Sequence, residues 1–359
     1  MISAVAAFFG VLALLVLAHE FGHFFVAKKN GVRVDEFGFG FPPRLFGFKK
    51  GGTFYSFNLL PFGGFVRIAG ENESESSEPD NFASKSLSAR ALILFAGVLF
   101  NIILAFFIFS SALPMGLPVE TDDPYWAGRT YGHEITVIEV LAGSPAEKAG
   151  FRVGDKILSL ASAEDANIKP ESITQIQEFT KIHAGQIADI EIERNGGKLV
   201  LEAGLDPGSE AHLGVAMASI GKIKAYWYAV PFVGLELTFL AVINMVDGLF
   251  FILKLLFSGH SVVGMVSGPV GIFSVVESSL DFGLPFLMSL VAILSVNLAV
   301  INLLPIPGLD GGRLLFLAIE KTRGRPISRK IGSLAQASGF AILIMLMAII
   351  TYLDIKLRL

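Results

Sequence analysis

The residues best suited to chemistry in this sequence close its first apolar segment and read His19-Glu20-Phe-Gly-His23. In an α-helix each residue advances by about 100°, so His19 and His23 would lie one turn apart on the same face. Two neutral imidazoles in that arrangement can bind one Zn²⁺, and the glutamate between them can act as a general base. The motif therefore predicts a metal-dependent hydrolase with His19 and His23 as zinc ligands and Glu20 as the base.

The position of the motif supports this hypothesis. No charged side chain occurs between Met1 and Ala18, and an ionisable group inside a membrane span is a functional-site hypothesis by default. At 1.5 Å per residue, His19 would lie roughly 27 Å along the helix, near its end but within the membrane. The alternative is that both histidines lie at the membrane interface while Glu20 pairs with Lys28.

A catalytic zinc usually has a third protein ligand. The chain has no cysteine, which excludes thiolate ligands, disulfides and a thiol nucleophile. The best candidate is Asp310, in the run Asn302-Leu-Leu-Pro-Ile-Pro-Gly-Leu-Asp-Gly-Gly-Arg313. Two prolines end an apolar segment there, and two glycines permit a tight turn. Asp310 could instead cap the next helix, but at the depth of the two histidines it would complete a metal site.

Composition indicates a membrane protein. Charged residues make up 17% of the chain and hydrophobic residues 53%, whereas soluble domains carry about 25% charged residues. The first apolar segment lacks a basic start and a small-residue cleavage site, which favours a retained span over a signal peptide. A bilayer-crossing helix needs about 20 apolar residues. The segments that meet this requirement are Ile2–Val26, Ala89–Leu113, Leu284–Leu304 and Gly332–Leu353.

The distribution of charge predicts the orientation of these spans. Nine Lys and Arg residues fall between Lys28 and Arg90, and six fall between Arg313 and Lys330. The positive-inside rule places both loops in the cytoplasm. The region Val119–Glu210, with 17 acidic and 8 basic residues, then lies outside. The histidines that this topology separates from the metal site are His133, His183, His212 and His260.

A fifth apolar segment, Val230–Phe257, carries Glu236, Asp247 and Lys254. For the third ligand to reach the histidines, the span before it must run in the same direction as the first span. The number of crossings between the acidic region and that span must therefore be even. We expect this segment to lie along the outer interface, with its apolar side buried, and not to cross the membrane completely.

Two regions predict β structure. Between the first two spans, aromatic residues alternate with small or polar ones in Glu36–Leu45, Thr53–Asn58 and Pro61–Arg67, which is typical of short strands, here apolar enough to dip into the membrane. The acidic region predicts a small α/β domain, with strands at Ile135–Val140 and Asp155–Leu160. Its other predicted elements are a helix capped by Ser144, Pro145 and Gly150, a helix over Ile173–His183, and a hairpin turning at Asn195-Gly-Gly.

Several motifs then identify families by resemblance. The run Gly143-Ser-Pro-Ala-Glu-Lys-Ala-Gly-Phe-Arg-Val-Gly-Asp-Lys-Ile-Leu158 resembles a PDZ domain of the bacterial protease type. The histidine motif, the Gly-Phe-Gly-Phe-Pro region, this module, Ser267-Gly-Pro-Val-Gly-Ile272 and Asn-x-x-Pro-x-Pro-x-Leu-Asp-Gly occur in that order. In that order they resemble the site-2 protease family, specifically bacterial regulators of sigma-E stress signalling.

The resemblance implies a function and a location. It implies a Zn²⁺-dependent protease of the bacterial cytoplasmic (inner) membrane that cuts single-span proteins, such as anti-sigma factors already trimmed outside, and that clears remnant signal peptides. The lipid bilayer is then its environment, with no nucleic-acid partner, and the PDZ-like domain is extracytoplasmic. The residues it assigns to substrate contact are Asn302, Pro305 and Pro307 of the last motif and Gly63 and Gly64 of the membrane-dipping strands.

The sequence departs from the family pattern in two respects. One PDZ-like module is present where some relatives have two, and Gly97-Val-Leu-Phe-Asn101 lacks the proline of the usual Gly-Pro-x-x-Asn. Asn101 should face protein, either near the metal or in helix packing. Two rival functions are a metal or proton transporter, which predicts internal repeats that the sequence lacks, and an inactive membrane scaffold, which predicts the loss of Glu20 or a ligand.

We therefore expect a polytopic α-helical membrane protein with four transmembrane helices, a membrane-dipping β-hairpin or sheet, and one external PDZ-like α/β domain. Residues 1–118 and 284–359 form the two parts of the membrane core. Residues 119–210 form the PDZ-like domain, and residues 211–283 form amphipathic external helices.

Overall fold

Contacts between residues divide the chain into two compact units. The first unit comprises Met1–Ser111, Pro231–Glu277 and Met288–Leu359, and the second comprises Ala112–Val230 and Ser278–Leu287. The computed structural model describes residues 2–71, 78–121, 124–126, 128–141, 143–162, 167–194, 196–208, 211–223, 225–260, 262 and 265–358.

Helices and strands are interspersed up to residue 223, and among the described residues only helices follow. The helices are α1 (Ile2–Lys29), α2 (Leu87–Ala112), α3 (Pro145–Ala149), α4 (Ile173–Ile182), α5 (Val230–Phe257), α6 (Pro269–Asp281), α7 (Leu284–Leu303), α8 (Asp310–Arg323) and α9 (Arg329–Arg358). The strands are β1 (Val34–Lys50), β2 (Thr53–Ile68), β3 (Pro118–Glu120), β4 (Thr130–Val140), β5 (Lys156–Ser162), β6 (Ile187–Arg194), β7 (Gly197–Gly204) and β8 (Val215–Ile223).

Within the described ranges, five helices are long and apolar enough to cross a membrane by length and composition. They are α1, α2 with its extension to Met115, α5, α7 and α9. Four of them correspond to the predicted spans. The fifth, α5, is the segment predicted to lie along the interface. It forms one continuous helix of 28 residues, and its failure to cross stays a prediction.

The strands β1 and β2 form a folded sheet beside α1, which confirms strands in this region. Residues 36–39 pair with residues 64–67 on one side and with residues 54–57 on the other. The Phe24 ring of α1 lies 5.3 Å from the ring of Phe37 in β1, edge to face. The sheet is therefore packed against the part of α1 that follows its histidines.

A buried carboxylate links separate segments of this sheet through two ion pairs. Glu36 is 6% exposed, and its oxygens lie 2.9 Å from a guanidinium nitrogen of Arg44 and 3.3 Å from one of Arg67. The guanidinium of Arg44 also lies over the ring of Phe54, 4.4 Å from its centroid. A buried charge needs such partners because desolvation penalises it otherwise.

The second unit is built on a sheet with the strand order β3-β8-β4-β5-β6-β7, whose neighbours are all antiparallel. The predicted helix caps are confirmed, because the Ser144 side chain accepts from the Glu147 N–H and Gly150 adopts the left-handed conformation at the end of α3. The predicted hairpin is confirmed as β6 and β7, while Asn195 in its turn lies outside the described residues. Buried apolar side chains form this unit's own core.

One ion pair ties the turn after α3 to the hairpin of the second unit. The carboxylate of Asp155 is fully buried and accepts two hydrogen bonds of 2.7 Å from the guanidinium of Arg194. The hydrogen bonds to Asp155 raise the pKa of Arg194 above its usual value, and burial opposes this effect without outweighing it. Asp155 also accepts from the backbone N–H of Arg152 at 2.8 Å, so the charge is fully satisfied.

Candidate metal centre

The structure brings the two motif histidines together on one face of α1. His19 is 8% exposed and His23 is 6% exposed. Their Nε2 atoms lie 3.2 Å apart. The four-residue spacing accounts for this approach, because residues i and i+4 lie one above the other on a helix.

Asp310 joins the pair from a different element. It is the first residue of α8, and its Oδ2 atom lies 3.0 Å from Nε2 of His19 and 3.2 Å from Nε2 of His23. The N-cap of α8 is Leu309, so the Asp310 side chain does not cap the helix. Burial raises the pKa of the Asp310 carboxyl, but its contacts with the two histidines outweigh that effect and hold the pKa below its usual range.

The two glycines after Asp310 permit this approach. A Cβ at Gly311 would overlap the backbone carbonyls of Leu303 and Leu304, and a Cβ at Gly312 would overlap that of Ile306. The first turn of α8 therefore lies directly against the end of α7 and the chain that follows it. The sequence predicted a tight turn here, and the structure shows that the glycines are needed for packing as well.

The geometry of the three side chains fits zinc. A tetrahedral zinc with bonds of about 2.0–2.1 Å spaces its ligand atoms by roughly 3.3–3.4 Å, close to the observed 3.0–3.2 Å. Two imidazole nitrogens and one carboxylate oxygen also form a donor set typical of catalytic zinc. Among the described residues, His19, His23 and Asp310 form the one group of three such side chains that could hold a metal ion.

Glu20 lies beside this cluster without being one of its three converging groups. It is half-buried on α1 and interacts electrostatically with His23, His19 and Asp310. Because it follows His19 directly, it is rotated by about 100° from the face that carries the histidines. The arrangement leaves a carboxylate next to the cluster that can exchange a proton.

One face of α2 supports the cluster, and sequence reasoning missed most of it. Ile93, Gly97 and Asn101 are four residues apart and share a face. The carbonyl of Ile93 accepts a hydrogen bond of 2.8 Å from Nδ1 of His23. A Cβ at Gly97 would overlap Nε2 of His23, so glycine alone leaves room for the imidazoles. The signal that could have found this face is the regular spacing of small and polar residues in an apolar helix.

Two ion pairs and one hydrogen bond anchor α8 and the chain before it. Arg313 pairs with Glu71, which follows β2, and Arg90 of α2 pairs with Glu320. Both pairs line a cavity of about 460 Å³ between α2, α8 and α9. The N–H of Gly308 donates to the side-chain oxygen of a glutamine in α9 at 2.8 Å. These contacts hold α8 and the chain before it against α2, against α9 and against Glu71.

The residues that the resemblance assigned to substrate contact fall in two places. They are Asn302, Pro305, Pro307, Gly63 and Gly64. The asparagine lies in the last turn of α7, and the prolines lie in the connection that leads to Asp310. The glycines lie in β2 against α1, where a Cβ at Gly63 would meet the Val16 side chain at 3.5 Å, about one turn before His19.

Comparison with known proteins identifies relatives over nearly the whole chain. The family model described as peptidase family M50 matches residues 7–346. The zinc metalloprotease RasP of Shouchella clausii is 31% identical, with 98% of each chain covered. The zinc metalloprotease RasP of Oceanobacillus iheyensis is 30% identical, with 99% of each chain covered. A putative zinc metalloprotease of Clostridium perfringens is 33% identical, with 97% of each chain covered.

Proposed function

The chain belongs to peptidase family M50 and is a zinc metalloprotease of the site-2 type, and we propose that it cuts the transmembrane segments of single-span proteins. Its long apolar helices make it an integral membrane protein, and the site-2 family acts on membrane-protein substrates within the bilayer. The proposal assigns zinc ligation to His19, His23 and Asp310. The observation that carries it is the convergence of their three ligand atoms within 3.2 Å.

The proposed chemistry uses few groups. Zinc held by His19, His23 and Asp310 would supply Lewis acidity, which strengthens water as a nucleophile and polarises a carbonyl. Glu20 accepts the proton of the attacking water and later donates it to the leaving amine, which breaks the peptide bond. The amide of Asn302 stabilises the negative charge that develops on the carbonyl oxygen. The Ile93 carbonyl holds the proton of His23 on Nδ1, so that Nε2 remains free as a ligand.

A substrate helix must unwind before it is cut, because its carbonyls are hydrogen-bonded within the helix. An open sheet edge can accept an unwound segment as an added strand. Within the part of the chain that the structure describes, residues 64–67 of β2 pair only with residues 36–39, which leaves one edge open. The edge begins at Gly63 and Gly64, about one turn of α1 before His19. This placement supports a role for the two glycines in holding the substrate. The proposal assigns the same role to Pro305 and Pro307, which lie in the connection that leads to Asp310.

The proposal also assigns a location to the enzyme and a role to each part of the chain. The enzyme lies in the bacterial cytoplasmic membrane with its metal centre toward the cytoplasmic side, as the two basic loops indicate. The predicted external PDZ-like domain of residues 119–210 regulates access, and its boundary moves to Val230 because β8 belongs to the same sheet. The helices α5 and α6 lie at the outer surface, and residues 1–118 and 284–359 form the membrane core. The substrates are anti-sigma-factor-like proteins already trimmed outside and remnant signal peptides.

A cleavage assay tests the proposal. Purified protein in proteoliposomes would be given a panel of single-span substrates, trimmed and untrimmed, including signal-peptide remnants. Wild type should cut trimmed substrates within the membrane segment, and Glu20→Gln should retain zinc but lose about 10²–10⁴-fold in rate. Gly10→Ala is the matched α1 control, because a Cβ there meets no atom within 4 Å. Wild-type rates in Glu20→Gln would exclude it as the base, and metal flux without cleavage would favour a transporter.

A further inference from the structure

The side chain of Asn101 is buried in α2 beside the proposed metal ligands. Asn101 has no exposed surface, and its amide nitrogen lies 3.4 Å from Nδ1 of His19. Its Oδ1 atom is buried and, among the described residues, has no hydrogen-bond partner. A buried carbonyl oxygen without a partner is unfavourable, so an amide in this place calls for an explanation.

The position of the proton on the imidazole of His19 provides this explanation. A neutral imidazole carries its proton on one ring nitrogen, and the other nitrogen can bind a metal. Nε2 of His19 faces His23 and Asp310 at 3.2 and 3.0 Å, so ligation through Nε2 places the proton on Nδ1. Nδ1–H is then a donor, and it needs an acceptor where the amide of Asn101 lies.

Rotating the amide by 180° meets this need. The oxygen and nitrogen of an asparagine amide have nearly the same shape, and their assignment follows from the hydrogen-bond network. After the rotation, Oδ1 of Asn101 lies about 3.4 Å from Nδ1 of His19 and can accept its proton, while the NH2 group takes the buried place that Oδ1 held. The backbone of Asn101 is fixed independently, because its carbonyl accepts a hydrogen bond of 2.8 Å from Oγ of Ser295 in α7.

We propose that Asn101 is a positioning residue for the metal centre, with its amide oxygen accepting the Nδ1–H of His19 so that Nε2 points to zinc. The proposal rests on the proposed ligation by His19. It gives α2 the same role for both histidines, since the Ile93 carbonyl already accepts from Nδ1 of His23 at 2.8 Å. Gly97 lies between these two acceptors and leaves the space that the rings occupy.

Zinc affinity of the detergent-solubilised full chain tests the proposal, measured by competition with a chelator. Asn101→Leu keeps the shape but removes the acceptor, and it should weaken zinc binding about 10–100-fold. Asn101→Asp keeps an acceptor and should retain wild-type affinity. Ser110→Ala is the control, because it removes a buried hydroxyl without a described partner from the same helix, about 14 Å beyond residue 101.

Two spectroscopic readouts separate positioning from packing. With Co²⁺ in place of zinc, the ligand-field bands should change in Asn101→Leu and return in Asn101→Asp. In the zinc-bound protein, the Nδ1–H proton of His19 should give a downfield-shifted ¹H signal that exchanges slowly with water in wild type, and Asn101→Leu should lose both features. The second measurement keeps the test decisive if Asn101→Asp does not fold.

Each remaining outcome contradicts a specific statement. Wild-type zinc affinity together with a wild-type Nδ1–H signal of His19 in Asn101→Leu would reduce Asn101 to packing. Equal losses in folded Asn101→Leu and Asn101→Asp would mean that the amide nitrogen is the essential group and would overturn the acceptor role. If His19→Ala keeps full zinc affinity, the proposed ligand set itself fails. If His19→Ala loses zinc while Asn101→Leu does not, the inference about Asn101 fails alone.

Discussion

In the first unit, the end of the long helices that carries His19, His23 and Asp310 differs strongly from the opposite end. We call these the metal end, around His19, Gly97 and Asp310, and the far end, around Phe8 and Ser110. At 1.5 Å per residue, Phe8 lies about 16 Å before His19 on α1, and Ser110 lies about 20 Å after Gly97 on α2. The two ends share the same long helices but are held by different kinds of contact.

At the metal end, buried polar groups make hydrogen bonds and ion pairs, and glycines lie where a Cβ would overlap neighbouring atoms. At the far end, a carboxylate and a pair of aromatic rings link the helices. The carboxylate of Asp354, near the end of α9, accepts from the backbone N–H groups of Gly268 and Gly271 at 2.9 Å. The rings of Phe8 and Phe273 stack edge to face at 5.6 Å.

The helix α5, which begins at the far end, is largely exposed. α5 packs Gly234 against Ser110, and the exposed aromatic side chains of α5 include Phe232, Phe250 and Phe257. Protein side chains and backbone pack the proposed metal site at one end, whereas a lipid bilayer would have to cover the exposed rings of α5 at the other.

The largest expected effect comes from filling the space beside the histidines. Gly97→Ala places a methyl group on Nε2 of His23 and next to His19, so we expect zinc affinity to fall by more than about 100-fold, beyond the usual loss for a supporting residue. The control is Gly10→Ala toward the far end, where a Cβ meets no atom within 4 Å. Chelator competition measures both. Normal zinc affinity in Gly97→Ala would remove the steric basis of the comparison.

The second effect concerns the ion pair between α2 and α8. Arg90 is 8% exposed, and breaking a buried pair from one side destabilises a protein by about 3–5 kcal/mol. Arg90→Ala or Glu320→Ala should lower the stability in detergent by that amount and weaken zinc binding, because α8 carries Asp310. The exchange of both residues, Arg90→Glu with Glu320→Arg, should restore part of each loss. If the exchange restores nothing while the chain still folds, the pair is not what fixes α8.

The sequence predicted the cluster because its chemistry is local. His19, Glu20 and His23 fall within one helical turn, so their spacing alone determines their relative positions. Asp310 is distant in sequence, but the topology argument required its span to end at the same depth as the histidines. The capped helix α3 and the hairpin of the second unit were likewise predictable from short patterns of Ser, Pro and Gly.

The supporting contacts could not be predicted, because they depend on which helix faces which. Gly97 and Asn101 were visible as an incomplete motif, yet the motif does not say that Gly97 touches an imidazole. The pairing of Arg90 with Glu320 joins positions 230 residues apart. Both are ordinary residue types in a charged loop or helix end, and neither carries a periodic signal.

A smaller effect is expected at the far end. Asp354→Ala removes both hydrogen bonds to the start of α6, and hydrogen bonds to charged groups contribute about 1.5–3 kcal/mol. Hydrogen exchange should therefore rise in residues 268–281, while zinc affinity stays at the wild-type value. Thr351→Ala is the control on α9, since its exposed hydroxyl bonds only within the helix, to the carbonyl of Met347. A loss of zinc in Asp354→Ala would show that the two ends are coupled.

The smallest effect on function is expected from a cysteine label at the end of α5. The labelling tests whether α5 crosses the membrane. The start of α5 lies at the far end, because Gly234 contacts Ser110. The start of α6 lies there as well, because Gly268 contacts Asp354. A full crossing by α5 would cover roughly 35 Å from Gly234 to Phe257, and the chain would have to return within the next eleven residues.

The described part of this connection does not run as an extended strand. The N–H of Ser258 donates to the carbonyl of Lys254, and the N–H of His260 donates to that of Leu255, so the chain turns at the end of α5. The N–H of Met265 donates to the carbonyl of Val262 in a second turn. Because turns shorten the reach of a chain, a connection of eleven residues that includes these two turns falls short of the about 30 Å of hydrocarbon that a return would have to cross.

We therefore predict that the end of α5 stays on the outer side and that the span α7 runs in the same direction as α1. His260 is exposed, and the chain has no native cysteine, so His260→Cys introduces a single reactive thiol with little effect on stability or cleavage. An impermeant thiol reagent added to intact cells should label it at the rate of a cysteine placed in the external domain, such as Ile182→Cys, which is 75% exposed. A cysteine at Arg325, in the basic loop after α8, should react only after the membrane is opened. If His260→Cys behaves like Arg325→Cys, then α5 crosses the membrane, and the direction of α7 on which the ligand role of Asp310 depends must be abandoned.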